Sequence, residues 1–201
     1  MHISEGVLSA PVLVTGAGIT ATAVGYSLKK MEYKEVPKVA ILSSVFFVAS
    51  LIHLPLGPAS VHLILNGIIG LLLGWSAFPA ILVALVLQGI LFQFGGITTL
   101  GINTLNMALP ALVCFYLFQK VVHRKINLLT LILYFLCGFL AVFISAIMVA
   151  IALVFTGEPF IQVAKLIIIA HLPIMVLEGI LTMFCIGFLK KVKPEILIIT
   201  G

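Results

Sequence analysis

Two long apolar segments, residues 128–155 and 160–189, restrict the fold of this chain more than any other feature. Each exceeds the ~20 apolar residues that an α-helix needs to cross the hydrocarbon core of a bilayer. Neither segment alternates between apolar and polar residues, as the strands of a membrane β-barrel do. A helix also satisfies its own backbone hydrogen bonds where no water is present. The sequence therefore predicts an integral membrane protein built from helices.

The composition supports this interpretation and sets the number of helices. Charged residues make up 8% of the 201 residues and hydrophobic residues 63%, whereas soluble domains carry about 25% charged residues. We predict an all-α bundle of about seven transmembrane helices in a single domain, 1–201, with a short N-terminal segment, 1–6, before the first helix. The predicted helices cover about 7–28, 39–53, 61–73, 78–94, 103–119, 128–155 and 160–189.

Basic residues are grouped after alternate predicted helices, and this pattern indicates an orientation. Because Lys and Arg collect in cytoplasmic loops, we predict an outer N-terminus, a cytoplasmic C-terminus and a multi-pass location in the cell (inner) membrane of a bacterium or archaeon. The net charge of +5 then reflects topology, and no nucleic-acid partner is expected. The groups follow the first, fifth and seventh helices: Lys29, Lys30, Lys34 and Lys38; Lys120, Arg124 and Lys125; and Lys190, Lys191 and Lys193.

The segment 1–6 carries a histidine in second position, which is a possible metal-binding arrangement. The α-amine of Met1, the deprotonated amide of His2 and the His2 imidazole can offer three nitrogens in one plane. A tetragonal nitrogen set suits Ni(II) or Cu(II), and His62 is our candidate for the fourth position. Taken alone the signal is weak, because a histidine at this place is more often a polar residue at the membrane interface.

Two further segments, together with the N-terminal one, strengthen this interpretation. The three motifs are MHISEGVLS at 1–9, GPASVHLILNG at 57–67 and GGITTLGINTLNM at 95–107. In sequence and in order they resemble the substrate-specificity subunits of energy-coupling-factor transporters for cobalt and nickel. The resemblance implies a metal ion held by Met1, His2 and His62. It also implies Ni2+ or Co2+ as the transported substrate and no catalytic cofactor. The motifs do not distinguish nickel from cobalt.

The same resemblance implies partners. A specificity subunit of this kind works with a transmembrane coupling subunit and two cytoplasmic ATPase subunits, and some relatives carry an additional small membrane subunit. The chain itself contains no Gly-x-x-x-x-Gly-Lys-Ser/Thr phosphate-binding loop, so the energy must come from other chains. Ala17, Ala21 and Gly25 form a small-residue repeat in the first helix, which either packs within the bundle or contacts such a partner.

Four other polar residues are candidates for orienting the ligands or gating the site. His53 lies nine residues before His62, at the other end of the same predicted outer loop, and Asn103 lies in the third motif. His171 and Glu178 are seven residues apart and therefore near one helix face. Ionisable groups inside a bilayer are costly and often functional. The alternatives are an interfacial histidine for His53 and an ordinary interhelical hydrogen bond for His171 and Glu178.

Two other classes of function remain open from the sequence. The first is an intramembrane hydrolase that uses His171 and Glu178 on a bound metal, although the chain lacks a His-Glu-x-x-His motif and any aspartate for a Ser-His-Asp triad. The second is a structural or assembly subunit without a metal site of its own. We expect a transport component that is not an enzyme.

Overall fold

The computed structural model describes residues 2–51, 53–56 and 59–197. For residues 53–56 and 59–61 it describes the backbone but not the side chains. Met1, one of the predicted ligands, lies outside the described residues. A short hairpin of β1, His53–Leu56, and β2, Ala59–His62, interrupts the helices. The all-α membrane class is confirmed by the described helices: α1 Ala10–Lys30, α2 Val36–Ala49, α3 Asn66–Leu73, α4 Ala77–Phe92, α5 Leu100–Val122, α6 Leu128–Val154 and α7 Ile161–Val192.

Five described stretches are long and apolar enough to cross a bilayer by length and composition, although one of them, Asn66–Phe92, is interrupted at Gly74. α2, with 14 residues, reaches only about 21 Å and is shorter than a usual span. The number of crossings and the side that each terminus faces therefore stay predictions. The five stretches are Ala10–Lys30, Asn66–Phe92, Leu100–Val122, Leu128–Val154 and Glu158–Val192.

The stretch from Asn66 to Phe92 is a helical hairpin rather than one straight helix. The backbone breaks at Gly74, where φ is 53° and ψ is −121°, and a 3-10 turn over Gly74–Ser76 joins α3 to α4. Residues that flank the two ends of the stretch both lie near His2: the His62 ring stacks on the His2 ring, and a Cβ on Gly95 would lie 3.7 Å from the His2 Cβ. α3 therefore runs away from His2 and α4 returns towards it.

The third predicted helix, 61–73, differs most from the structure. Its first two residues belong to β2, and the helix begins only at Asn66. Leu65, just before it, has a φ of 53°, in the left-handed region that a right-handed helix cannot contain. The resulting helix of 8 residues is only about 12 Å long. It cannot cross a ~30 Å hydrocarbon core by itself.

The other helix bounds differ from the predicted ones by a few residues. α2 covers 36–49 rather than 39–53, because Pro37 stands in its first turn and the strand β1 begins at His53. α5 covers 100–122 rather than 103–119, because residues 100–102, which belong to the stretch before Asn103, are already helical after the N-cap residue Thr99. α1 begins at Ala10, where Pro11 follows in the first turn.

α3 lies at the centre of the bundle, and all eight of its residues are buried. It packs against α5, α6 and α7 through closely approaching backbones. A Cβ on Gly67 would lie 2.8 Å from Gly138 Cα, and a Cβ on Gly70 would overlap the carbonyl of Ala111. The short helix that follows His62 is therefore fixed in the core.

The small-residue repeat of α1 packs only in part within the described chain. Ala17 contacts Gly101 of α5, whereas Ala21 and Gly25 are exposed. At the opposite end of α5, Lys190 of α7 donates hydrogen bonds to the carbonyls of Val122 and Arg124. Two of the predicted basic groups therefore lie side by side.

Candidate metal centre

The residue after His2 is held by a side chain of α5. Asn103 Oδ1 accepts the N–H of Ile3 at 2.9 Å, and Asn103 Nδ2 donates to the Ile3 carbonyl at 3.0 Å and to Thr99 Oγ1 at 3.2 Å. Asn103 thus pairs with Ile3 in the way that two backbone amides pair. Both residues are buried, which strengthens these hydrogen bonds. The predicted orienting role of Asn103 is consistent with this contact.

A second contact fixes the N-terminal segment against the loop before α5. The N–H of Glu5 donates to the carbonyl of Gly95 at 3.1 Å, and Glu5 Oε2 accepts the N–H of Ile97 at 3.1 Å. Gly95 has a φ of 79°, and a Cβ there would lie 3.0 Å from Asn103 Nδ2. A glycine is therefore required at this turn. Sequence reasoning did not identify Glu5, although it is a lone acidic residue ahead of an apolar segment.

The structure brings the two predicted imidazole ligands together. The rings of His2 and His62 stack with centroids 4.6 Å apart and an interplanar angle of 23°. They are only 4% and 1% exposed, and the Phe94 ring lies 6.1 Å from that of His2. Within the described residues no group of three or more His, Cys, Asp or Glu side chains could hold a metal ion. A complete ligand set here would thus need ligands besides the two imidazoles.

The hydrogen bonding of His62 defines which ring nitrogen is available. Its Nδ1 lies 2.7 Å from the carbonyl oxygen of Leu63 and must donate to it, because a carbonyl only accepts. In the neutral imidazole the lone pair is then on Nε2, which is buried and has no hydrogen-bond partner among the described residues. Burial also holds the pKa of His62 well below its usual range. The ring is therefore a neutral donor of one lone pair, as metal ligation requires.

His53 lies directly opposite His62 in the hairpin. The antiparallel register pairs His53 with His62 and Leu56 with Ala59. The side chain of His53 is outside the description, so its predicted role at the site stays a prediction. In the sequence, Gly57-Pro58 is a typical turn pair, and the prediction places it in an outer loop.

Glu178 and His171 are both buried on α7, and Glu178 contacts the segment after His62. Its Oε1 accepts the N–H groups of Ile64 at 2.5 Å and Leu65 at 2.8 Å. His171 Nδ1 lies 2.6 Å from the carbonyl of Ile167, one turn earlier in the same helix. Glu178 is thus hydrogen-bonded to the backbone of the candidate site, whereas His171 forms its hydrogen bond within α7.

The fold and the site together define a class: multi-pass membrane proteins with a pair of buried imidazoles beside the N-terminal segment. Residues 2–196 match the CbiM family, described as the cobalt uptake substrate-specific transmembrane region. The chain belongs to this family. The resemblance indicated by the three sequence motifs is therefore confirmed.

Individual relatives agree with this assignment. The chain is 38% identical over 199 residues to a Haemophilus influenzae protein named "Putative metal transport protein", covering 98% of this chain and 97% of the other. It is 28% identical over 214 residues to the cobalt transport protein CbiM of Lachnoclostridium phytofermentans, covering 98% and 85%. It is 39% identical over 114 residues to the fused nickel transport protein NikMN of Rhodobacter capsulatus, and this match covers 54% of this chain and 33% of that protein.

A solved structure has the same fold. The crystal structure of a transition metal transporter superposes with a TM-score of 0.80 and 25% identity, covering 96% of this chain and 93% of the other. The chain is thus a substrate-specific membrane component of metal uptake, and the hydrolase alternative is not favoured.

Proposed function

We propose that the protein is the substrate-capture subunit of an energy-coupling-factor importer and binds one Ni2+ or Co2+ ion through Met1, His2 and His62. The observation that carries the proposal is the buried His2–His62 pair, in which His62 offers a lone pair on Nε2. The names of the relatives, cobalt transport and nickel transport proteins, support this choice of cargo.

The proposed ligand set consists of nitrogens in one plane. His2 contributes its imidazole and deprotonated amide, His62 its Nε2, and Met1 its free α-amine. Such a tetragonal set suits Ni(II) and Cu(II) by geometry. The hydrogen bonds of Asn103 to Ile3 support it, because they fix the backbone next to the proposed chelate.

We propose that the N-terminus faces outwards and that the basic helix ends face the cytoplasm. The hydrogen bonds of Lys190 to Val122 and Arg124 support this orientation, since they gather basic residues from two helices at one end of the bundle. The site, at the other end of α5, would then meet the arriving ion.

Partners belong to the same proposal. The absence of a phosphate-binding loop from the sequence supports separate ATPase subunits, acting through a membrane coupling subunit. The fused nickel transport protein, of which this chain covers 33%, supports an additional small membrane subunit among the partners.

The proposal is tested by equilibrium binding of Ni2+ and Co2+ to the purified protein with a native N-terminus. His62→Ala should reduce the affinity at least about 100-fold, because it removes one of four ligands. His123→Ala is the matched control, since His123 is exposed at the other end of α5 and should leave the affinity unchanged. An equal loss of affinity in both variants, or no loss of affinity in either, would reject His62 as a ligand.

A further inference from the structure

A carboxylate on α7 holds the backbone between His62 and α3. Glu178 Oε1 accepts two consecutive N–H groups, those of Ile64 and Leu65, at 2.5 and 2.8 Å. These residues are 114 and 113 positions away in the sequence. Glu178 is therefore a direct connection between the last helix and the segment that carries His62.

The location of this contact makes it strong. Glu178 is fully buried and its Oε2 has no hydrogen-bond partner among the described residues, so the two hydrogen bonds to Oε1 offset the cost of burying this side chain. Hydrogen bonds from N–H groups to a carboxylate are about twice as strong as those between neutral groups. The positive end of the α3 dipole adds to the attraction.

The backbone at this place also needs an external partner. Leu65 is the N-cap residue of α3, and its apolar side chain provides no capping hydrogen bond. Its φ of 53° is unfavourable for a leucine, so surrounding contacts must maintain it. Glu178 supplies such a contact from a neighbouring helix. The carbonyl of Leu63, next to Ile64, is in turn the acceptor that orients the His62 ring at 2.7 Å.

We propose that Glu178 is the positioning residue of His62: by fixing Ile64 and Leu65 it fixes the Leu63 carbonyl, and through that carbonyl it aims His62 Nε2 at the metal ion. This inference rests on the proposed function, because it requires His62 to be a ligand. Glu178 itself does not touch the ion. It acts through the backbone, in the way that the groups behind a ligand commonly determine its orientation.

The test uses Cu(II), which binds nitrogen sets more tightly than Ni(II) does, so that binding remains measurable when a ligand is lost. Glu178→Met keeps the length of the side chain without an acceptor. Glu178→Gln keeps an acceptor oxygen without the charge. Thr182→Val is the control one turn further along α7, because Thr182 is also buried and its Oγ1 has no hydrogen-bond partner among the described residues.

We expect Glu178→Met to weaken Cu(II) binding about 10–100-fold and to change the electron paramagnetic resonance spectrum to that of His62→Ala, with one nitrogen fewer. In a His62→Ala background the same substitution should change the affinity less than twofold. Thr182→Val should retain the native spectrum and the affinity within about threefold. Glu178→Gln should retain the native spectrum, with a smaller loss of affinity than Glu178→Met, because its neutral oxygen still accepts the two N–H groups but binds them more weakly.

Equal weakening by Glu178→Met with and without His62 would overturn the inference, because Glu178 would then act elsewhere. Loss of the His62 signal in Glu178→Gln would overturn it as well, and this outcome decides the question if Glu178→Met does not fold. If His62→Ala itself leaves spectrum and affinity unchanged, the proposed ligand set fails, which is distinct from a failure of Glu178 alone.

Discussion

The side-chain amide of Asn103 forms two hydrogen bonds with the backbone of Ile3, at 2.9 and 3.0 Å, so that α5 holds the residue directly after His2. Asn103→Leu keeps the branched shape of the side chain but leaves both backbone groups of Ile3 without this partner. We expect the affinity for Ni2+ to fall about 10–100-fold, as measured by competition with a chromogenic chelator. Asn106→Leu, one turn further on α5, is the buried control and should bind normally. Equal affinities in both variants would contradict the role of Asn103.

The turn at Gly95 should tolerate no side chain. Its φ of 79° is unfavourable for alanine, and a Cβ would press on the amide of Asn103. Gly95→Ala should therefore destabilise the protein by about 1–3 kcal/mol and weaken metal binding, measured by thermal unfolding with and without Ni2+. Gly89→Ala is the matched control: it lies in helix α4 with only the Phe94 carbonyl within 4 Å. It should be neutral or stabilise the helix by roughly 0.5–1 kcal/mol. The interpretation of the turn is wrong if both substitutions are neutral.

Acidification should release the metal ion, and protonation of His62 should not be the main cause. Burial lowers the pKa of His62 well below its usual range, so the ring stays neutral in the folded protein between pH 8 and 6.5. An α-amine with a pKa of about 8 must lose a proton to bind a metal. We therefore expect the affinity to fall from pH 8 to 6.5 with the same slope in the native protein and in His62→Ala, as measured by Ni2+ titration at several pH values. A flatter curve for His62→Ala would show that His62 titrates in this range.

Copper should bind at least as tightly as nickel in vitro. Affinity of a nitrogen site rises from Ni(II) to Cu(II) in the Irving–Williams order, and a tetragonal set favours both ions by geometry. Competition titrations with the two ions would measure the ratio. Copper binding clearly weaker than nickel binding would indicate a different set of ligands from Met1, His2 and His62.

The membrane class followed from the sequence because length and apolarity of the segments decide it. α6 matches the predicted 128–155 to within one residue. The hairpin and the late start of α3 did not follow, because a short apolar run fits a strand and a buried helix equally well. Predicting the left-handed residue Leu65 would have required the long-range contact with Glu178 that accompanies it.

The candidate site was predictable in part. His2, His62 and Asn103 came from three motifs far apart in the sequence, and the structure brings them to one place. Glu178 was recognised only as a costly buried charge on α7. Its partners, the N–H groups of Ile64 and Leu65, belong to the backbone and carry no sequence signal.

Binding of one ion by the N-terminal amine, His2 and His62 is tested by the Ni2+ affinity of two proteins that differ only before Met1. One has a native, unblocked N-terminus, and the other carries two additional residues. We expect one tightly bound ion per native chain and at least about a 100-fold loss in the extended chain, with unchanged thermal stability of the metal-free proteins. Equal affinity in the two proteins would contradict the claim, because the amine could then not be a ligand.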